Sequence, residues 1–107
     1  MALTVVITRD VEDRYRGFLA SAMLELAPGV YASPALSPRA RDKIWDVLSD
    51  WYGQLGNGSL VVVYADRQAD GGLAMRHLGA PPRSAVRLDG VLLTTFRVNT
   101  EALADDL

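Results

Sequence analysis

An abrupt change of hydrophobic periodicity near the N-terminus constrains the fold more than any other feature of this sequence. Residues 3–8, LTVVIT, are a short continuous apolar run rich in β-branched side chains. Such a run predicts a strand that is buried on both faces and central in its sheet. From Val11 onward the apolar residues follow a 3.6-residue period, which predicts an amphipathic helix that ends at Pro28 and Gly29. The apolar stripe of this helix comprises Val11, Tyr15, Phe18, Leu19, Ala22, Met23 and Leu26.

Five more strands and a second helix are predicted downstream. Ser37 followed by Pro38 is a favourable helix start, and Gly53 ends that helix. The Asp89-Gly90 dipeptide between two apolar runs is the strongest short-range hairpin signal in the chain. The predicted strands are residues 29–33, 59–65, 73–78 and the two arms of this hairpin, the second of which covers 91–98. A predicted turn at 65–72 joins strand 59–65 to strand 73–78.

The order strand, helix, strand, helix and four strands is typical of helices packed on one face of a sheet. We therefore predict an α+β ferredoxin-like sandwich, with a mostly antiparallel sheet, two helices on one face and an extra C-terminal hairpin. A chain of 107 residues supports one core, so residues 1–98 are predicted to form a single domain. Residues 99–107 form an acidic tail that we expect to fray.

Composition excludes several classes of site. The chain has no cysteine, so it forms neither disulfides nor zinc-thiolate sites. His77 is the single histidine, which argues against a zinc or histidine-based nucleophilic site. No apolar run approaches the ~20 residues that cross a bilayer, and the N-terminus lacks the features of a signal peptide. We expect a soluble, cytoplasmic protein.

The net charge of −2 hides an uneven distribution. The chain carries 11 Lys and Arg against 13 Asp and Glu, and three of those acids lie in the last nine residues. Residues 1–98 therefore hold eleven bases and ten acids. A nearly neutral domain with an acidic tail can still have a basic face.

Asp10 is the candidate catalytic and metal-binding residue. It follows the first predicted strand, where a Mg²⁺-dependent nuclease would place a carboxylate ligand. The competing interpretation is an N-cap, with Asp13 three residues later in an arrangement close to a capping box. A single carboxylate per chain would form a metal site only if a two-fold axis brought its twin alongside.

The arginines favour phosphate binding. Arg14 and Arg16 fall on opposite borders of the predicted apolar stripe, near a helix N-terminus whose N–H groups favour anions. The second helix carries Arg39, Arg41 and Lys43 toward its N-terminus. Its acids form an i, i+4 series, Asp42, Asp46 and Asp50, toward the C-terminus.

The charge order of the second helix opposes the helix macrodipole, which indicates that its bases have a functional role. Guanidinium groups that contact phosphates would position a duplex without reading its sequence. The aromatic residues Trp45, Trp51 and Tyr52 lie on or beside the apolar stripe, so they are predicted to be core residues and not a platform for single-stranded bases. One chain offers too few bases to hold a duplex at cellular salt, and a symmetric dimer is therefore expected.

The sequence resembles a known family over residues 3–98. Four motifs carry the resemblance: R-x-R-G after the first strand, E-x-x-x-G-V-Y, S-x-x-x-R-x-x-I-W and the late L-D-G hairpin. They are similar to those of the small CRISPR-associated adaptation protein Cas-two of the Cascade type, subtype I-E. The resemblance implies a homodimer that bridges two dimers of the Cas-one integrase while the assembly captures a short DNA duplex and inserts it as a new spacer.

The resemblance also implies roles for individual residues. It assigns contacts with the DNA backbone to Arg14, Arg16, Arg39, Arg41 and Arg83. It assigns docking on the integrase to a strand formed by Leu92, Leu93, Thr94, Thr95, Phe96, Arg97 and Val98.

Arg9 departs from the family pattern, because relatives tend to carry an acid there. Pro81 and Pro82 stand where relatives are more basic. Three hypotheses follow. The leading one is a non-catalytic DNA-binding and bridging subunit that needs no cofactor; the others are a Mg²⁺-dependent endonuclease that uses Asp10 from both protomers, and an interaction domain that binds no nucleic acid.

Overall fold

The computed structural model describes residues 2–79 and 83–96, with the backbone alone described for 83–85 and 96. In chain order the elements are β1 (Ala2–Arg9), α1 (Asp13–Ala22), β2 (Leu24–Ala27), β3 (Val30–Leu36), α2 (Pro38–Leu55), β4 (Ser59–Ala65), β5 (Leu73–Leu78), β6 (Arg83–Leu88) and β7 (Val91–Phe96). A short 3-10 turn, Asp70–Gly72, lies between β4 and β5. Neither helix offers a stretch that is both long and apolar enough to cross a lipid bilayer.

The strands form a five-stranded antiparallel sheet and a separate hairpin. The sheet order is β2-β3-β1-β4-β5, so β1 is central as predicted. The predicted α+β ferredoxin-like fold is confirmed, with β5 added at the edge of β4. β6 and β7 pair antiparallel around Asp89 and Gly90. Both turn residues have positive φ, 51° and 79°, as a type I′ turn requires.

The first helix is shorter than predicted. α1 ends at Ala22, and residues 24–27, which were expected to be its last turn, form β2 instead. Met23 still reaches the core, whereas Leu24 and Leu26 are exposed. The pairing of β2 with β3 overrides the helical spacing, because it gives the backbone groups of both strands partners that a longer helix would not supply.

The prediction that Asp10 caps α1 is wrong. The N-cap is Glu12, whose side chain makes no capping hydrogen bond, and Asp13 is the first helical residue. Asp10 has a φ of 55°, in the left-handed region that aspartate tolerates better than most residues do. The residue therefore turns the chain out of β1 before the helix starts.

The start of the second helix is confirmed. The Ser37 hydroxyl oxygen accepts a hydrogen bond from the Ala40 N–H at 3.1 Å, and Pro38 is the first helical residue. The helix continues two residues past its predicted end at Gly53. It ends before Gly56, whose φ of 67° provides the left-handed C-terminal cap.

The core lies between the helices and one face of the sheet. Every second residue of the central strands points there, and Val6 of β1 and Leu60 and Val62 of β4 pack against the helices. Leu19 of α1 and Leu48 of α2 belong to the same core. The opposite face is covered by no helix in the described part of the chain. We call it the open sheet face; it is formed by Leu3, Val5, Ile7, Val61, Val63 and Met75.

Among the described residues of one chain, β1 is therefore covered on one face only, although its apolar run predicted burial on both. Leu3 is 54% exposed and Ile7 is 44% exposed. Exposed large apolar side chains on one face of a central strand are typical of a surface that another molecule covers.

Candidate nucleic-acid interface

Arg14 and Arg16 extend into solvent from the first turn of α1. The fully buried Tyr15 lies between them in sequence and fixes the inner side of the helix. Within the described residues neither arginine forms a salt bridge. Two positive charges without a salt bridge to a described residue thus lie near a helix N-terminus, where the backbone N–H groups already favour anions.

Arg14 points toward α2. Its guanidinium carbon lies 5.3 Å from the centre of the Trp51 ring, within the range of a cation–π contact. Trp51 makes edge-to-face contacts with Tyr15 at 5.7 Å and with Phe18 at 5.4 Å between ring centres. Burial is the main reason why the pKa of the Tyr15 hydroxyl is raised, and the charge of Arg14 opposes this rise.

Arg16 points to the other side of α1, as the predicted opposite borders require. It lines an open cavity of about 380 Å³ together with Thr8, Asp10, Val11, Pro28 and Gly29. The Thr8 hydroxyl donates a hydrogen bond to the Gly29 carbonyl at 3.0 Å, which fixes one wall. Burial raises the pKa of the Tyr31 hydroxyl, and Arg16 opposes the rise, so the guanidinium also lies near this buried phenol.

The carboxylate of Asp10 lines the same cavity as Arg16. Mg²⁺ takes about six oxygen ligands in octahedral geometry. One chain supplies a single carboxylate there, beside a Thr8 hydroxyl that is already hydrogen-bonded. In the part of the chain that the structure describes, no three acidic or histidine side chains converge as metal ligands. The described residues of one chain therefore do not by themselves fit a magnesium ion at this cavity.

The bases of α2 differ in their surroundings. Arg39 and Lys43 are exposed, and neither forms a salt bridge within residues 2–79 or the described hairpin. The Arg41 side chain is only 15% exposed. Its guanidinium carbon lies 3.8 Å from the centre of the Tyr64 ring, and its Nε lies 3.5 Å from the Asp42 carboxylate. Arg41 thus anchors α2 to the sheet, whereas Arg39 and Lys43 remain accessible to a ligand.

A strand arginine that the sequence did not single out completes this anchor. Arg76 of β5 donates hydrogen bonds to the Asp42 carboxylate at 2.9 Å and to the Tyr64 hydroxyl at 3.2 Å. Burial lowers the pKa of Arg76, but these two bonds outweigh it and hold the pKa above its usual value. The sequence signal that could have identified Arg76 is the alternation of side chains along a strand. Arg76 lies on the same side of β5 as Ala74 and Leu78, which pack against the core.

The exposed bases of the helical layer form two groups. One comprises Arg14 and Arg16; the other comprises Arg39 and Lys43 at the start of α2. Arg14 contacts α2 at Trp51, twelve positions after Arg39. At 1.5 Å per residue this separation is about 18 Å along the helix. It corresponds to roughly five base pairs of duplex, whose phosphates repeat every ~3.4 Å along each strand.

The predicted partner-binding strand coincides in part with β7. Leu92 and Leu93 are 41% and 46% exposed, and in the described residues β7 pairs with β6 alone. Leu92 also approaches the turn that precedes β5, because a side chain at Gly71 would meet its methyl groups. Arg97 and Val98 lie outside the described residues.

Two further candidates are only partly described. Arg83 begins β6, but its side chain is outside the described part. Thr94, Thr95 and Phe96 complete β7, and the side chain of Phe96 is also outside that part. His77 lies within β5 and is half-buried.

Comparison with protein-family models places this arrangement in a family. Residues 3–93 match the model described as CRISPR-associated protein (Cas_Cas2CT1978). The match spans both helices, all of the five-stranded sheet except Ala2, and the turn of the hairpin. The chain therefore belongs to the Cas-two type of CRISPR-associated protein.

Proposed function

We propose that the chain is the non-catalytic DNA-binding and bridging subunit of a spacer-integration complex. In this role a homodimer holds a short duplex by its phosphate backbone and connects it to the Cas-one integrase. Membership of the CRISPR-associated family supports the general role. Resemblance to the subtype I-E proteins supports the bridging function and the choice of partner.

The main support for the proposed DNA binding comes from the two arginine side chains on α1. Arg14 and Arg16 are exposed, lie beside a helix N-terminus and form no salt bridge with described residues. A guanidinium group in such a position offers several N–H donors to phosphate oxygens. Because no base edge is needed for this contact, the expected ligand is a duplex of any sequence.

The open sheet face supports the homodimer. Two copies that associate through Leu3, Ile7 and their neighbours would cover the exposed apolar surface of β1 and give it the burial on both faces that its sequence predicts. Both helical layers would then lie on the outside. The α1 arginines of both copies would remain in solvent and double the number of phosphate contacts.

The hairpin supports the contact with the integrase. β7 is an exposed strand with one partner among the described residues, and an edge of this kind accepts a further strand from another protein. The exposed Leu92 and Leu93 would supply the apolar contacts beside the backbone hydrogen bonds.

Reconstitution tests the function. The purified chain is combined with its Cas-one integrase on a labelled duplex, with and without Mg²⁺. Integration products that require both proteins are expected, with no cleavage by this chain alone. Failure to co-purify with the integrase, together with no duplex binding at low salt, would instead favour an interaction domain that binds no nucleic acid.

The double variant Arg14→Ala/Arg16→Ala is expected to weaken duplex binding by about 10- to 100-fold, equally for unrelated sequences. A dimer would lose four phosphate contacts, so the slope of log K against log salt should flatten by about 3 to 4 units. Fluorescence anisotropy at several salt concentrations measures both quantities. Arg67→Ala/Arg87→Ala removes the same charge elsewhere and is the control, and an unchanged slope in the α1 variant would remove these arginines from the DNA surface.

The nuclease hypothesis has one supporting observation, the Asp10 carboxylate in a cavity shared with Arg16. Asp10→Asn tests it, because asparagine also tolerates a φ of 55° while its side chain carries no charge. Spacer integration by the reconstituted complex is expected to be unchanged. If integration is lost while folding and duplex binding persist, Asp10 has a catalytic role and the bridging subunit is an enzyme.

A further inference from the structure

We infer that Trp51 is a positioning residue for DNA binding, which holds the Arg14 side chain in place before a duplex arrives. The inference rests on the proposed function and adds to it a residue that contacts no DNA. It begins from the 5.3 Å distance between the guanidinium carbon of Arg14 and the Trp51 ring centre.

The indole ring is itself held in a fixed orientation. Trp51 is half-buried between the two helices, and the rings of Tyr15 and Phe18 meet it nearly edge-on, with interplanar angles of 80° and 72°. Tyr15 is fully buried and cannot easily move. The ring face that meets Arg14 is therefore set by core packing.

A held guanidinium binds phosphate better than a mobile one. A free arginine side chain loses rotamer entropy when it binds, and a contact that already restricts the side chain reduces this cost. The cation–π contact uses the face of the ring and leaves the N–H donors of Arg14 available to phosphate oxygens. Arg16 lies on the opposite side of α1, in the cavity that it lines with Thr8 and Asp10, so Trp51 cannot position it.

A double-mutant cycle on the full-length dimer tests the inference. Trp51→Leu keeps an apolar side chain and removes the ring, and it is expected to raise the Kd for a duplex about two- to five-fold per protomer, or roughly 4- to 25-fold for a symmetric dimer. In an Arg14→Ala background the same change should have no further effect. In an Arg16→Ala background it should keep its full effect. Trp51→Phe, which retains a ring, should restore most of the affinity.

The possible outcomes separate the two proposals. The inference is wrong if Arg14→Ala weakens binding and Trp51→Leu does not. It is also wrong if Trp51→Leu weakens binding equally in the Arg14→Ala and Arg16→Ala backgrounds, because Trp51 then does not act through Arg14. If Arg14→Ala itself has no effect, the proposed role of Arg14 in DNA binding is wrong, and the inference about Trp51 is wrong with it. Thermal melting identifies a folding defect, and in that case the cycle is run with Trp51→Phe, which should give a smaller coupling to Arg14 and none to Arg16.

Discussion

Replacement of Leu3 by glutamate is expected to convert the proposed dimer into monomers. Leu3 lies on the open sheet face and is 54% exposed in one chain. Fully burying an exposed leucine stabilises an interface by about 1.5 to 3 kcal/mol. Because Leu3 is already about half covered, each copy contributes roughly half of this, and a two-fold axis removes the contribution of both copies. The buried carboxylates would add a desolvation cost. Together these terms should raise the Kd of dimerisation by about 10³-fold, which sedimentation equilibrium would measure.

Leu88→Glu is the matched control for this experiment. Leu88 is 55% exposed, but it lies in β6 of the hairpin and not on the open sheet face. The same chemical change there should leave the dimer intact. A Leu3→Glu protein that still sediments as a dimer at low concentration would show that the two copies associate through another surface.

Replacement of Gly58 by alanine is expected to lower the free energy of unfolding by about 3 kcal/mol or more. Gly58 has a φ of 75°, and a Cβ atom there would collide with the backbone carbonyls of Arg9 and Asp10. Neither obstacle is a flexible side chain, so the loop after β1 would have to move. Denaturant unfolding of the variant measures the effect, and a loss of duplex binding should accompany it because α1 starts three residues after Asp10.

Gly53→Ala provides the comparison for Gly58→Ala. Gly53 lies inside α2, and a Cβ atom there would meet nothing within 4 Å. Alanine in a helix interior is favoured over glycine by about 1 kcal/mol, so this variant should be slightly more stable than the parent protein. Equal stability of the two variants would contradict the close approach of Gly58 to the β1–α1 loop.

The main features of the fold could be predicted from local patterns. β4 has the predicted bounds, and Ser37 caps α2 as predicted. These elements follow from a continuous β-branched run and from capping chemistry, both of which act over a few residues. β2 was missed because Met23 and Leu26 fit the helical spacing, and only the presence of β3 alongside makes a strand preferable.

The sequence predicted which types of residue form the candidate site, but not the contacts that each of them makes. Helical periodicity placed Arg14 and Arg16 on opposite sides of α1, and the structure agrees. Which arginine is exposed and which is buried could not be predicted, because that depends on contacts between elements. Arg41 is covered by Tyr64 of β4, and no property of its own helix indicates this.

The charge order of α2 has a consequence for how the chain folds. With bases at its N-terminus and acids toward its C-terminus, this helix is weakened by its own macrodipole and depends on distant strands for stability. The bond from Arg76 to Asp42 joins residues 34 positions apart. Such a contact forms only after a long loop has closed. We therefore expect α2 to become ordered together with β4 and β5 in one cooperative step, and a nascent chain that lacks β5 to remain exposed to proteases.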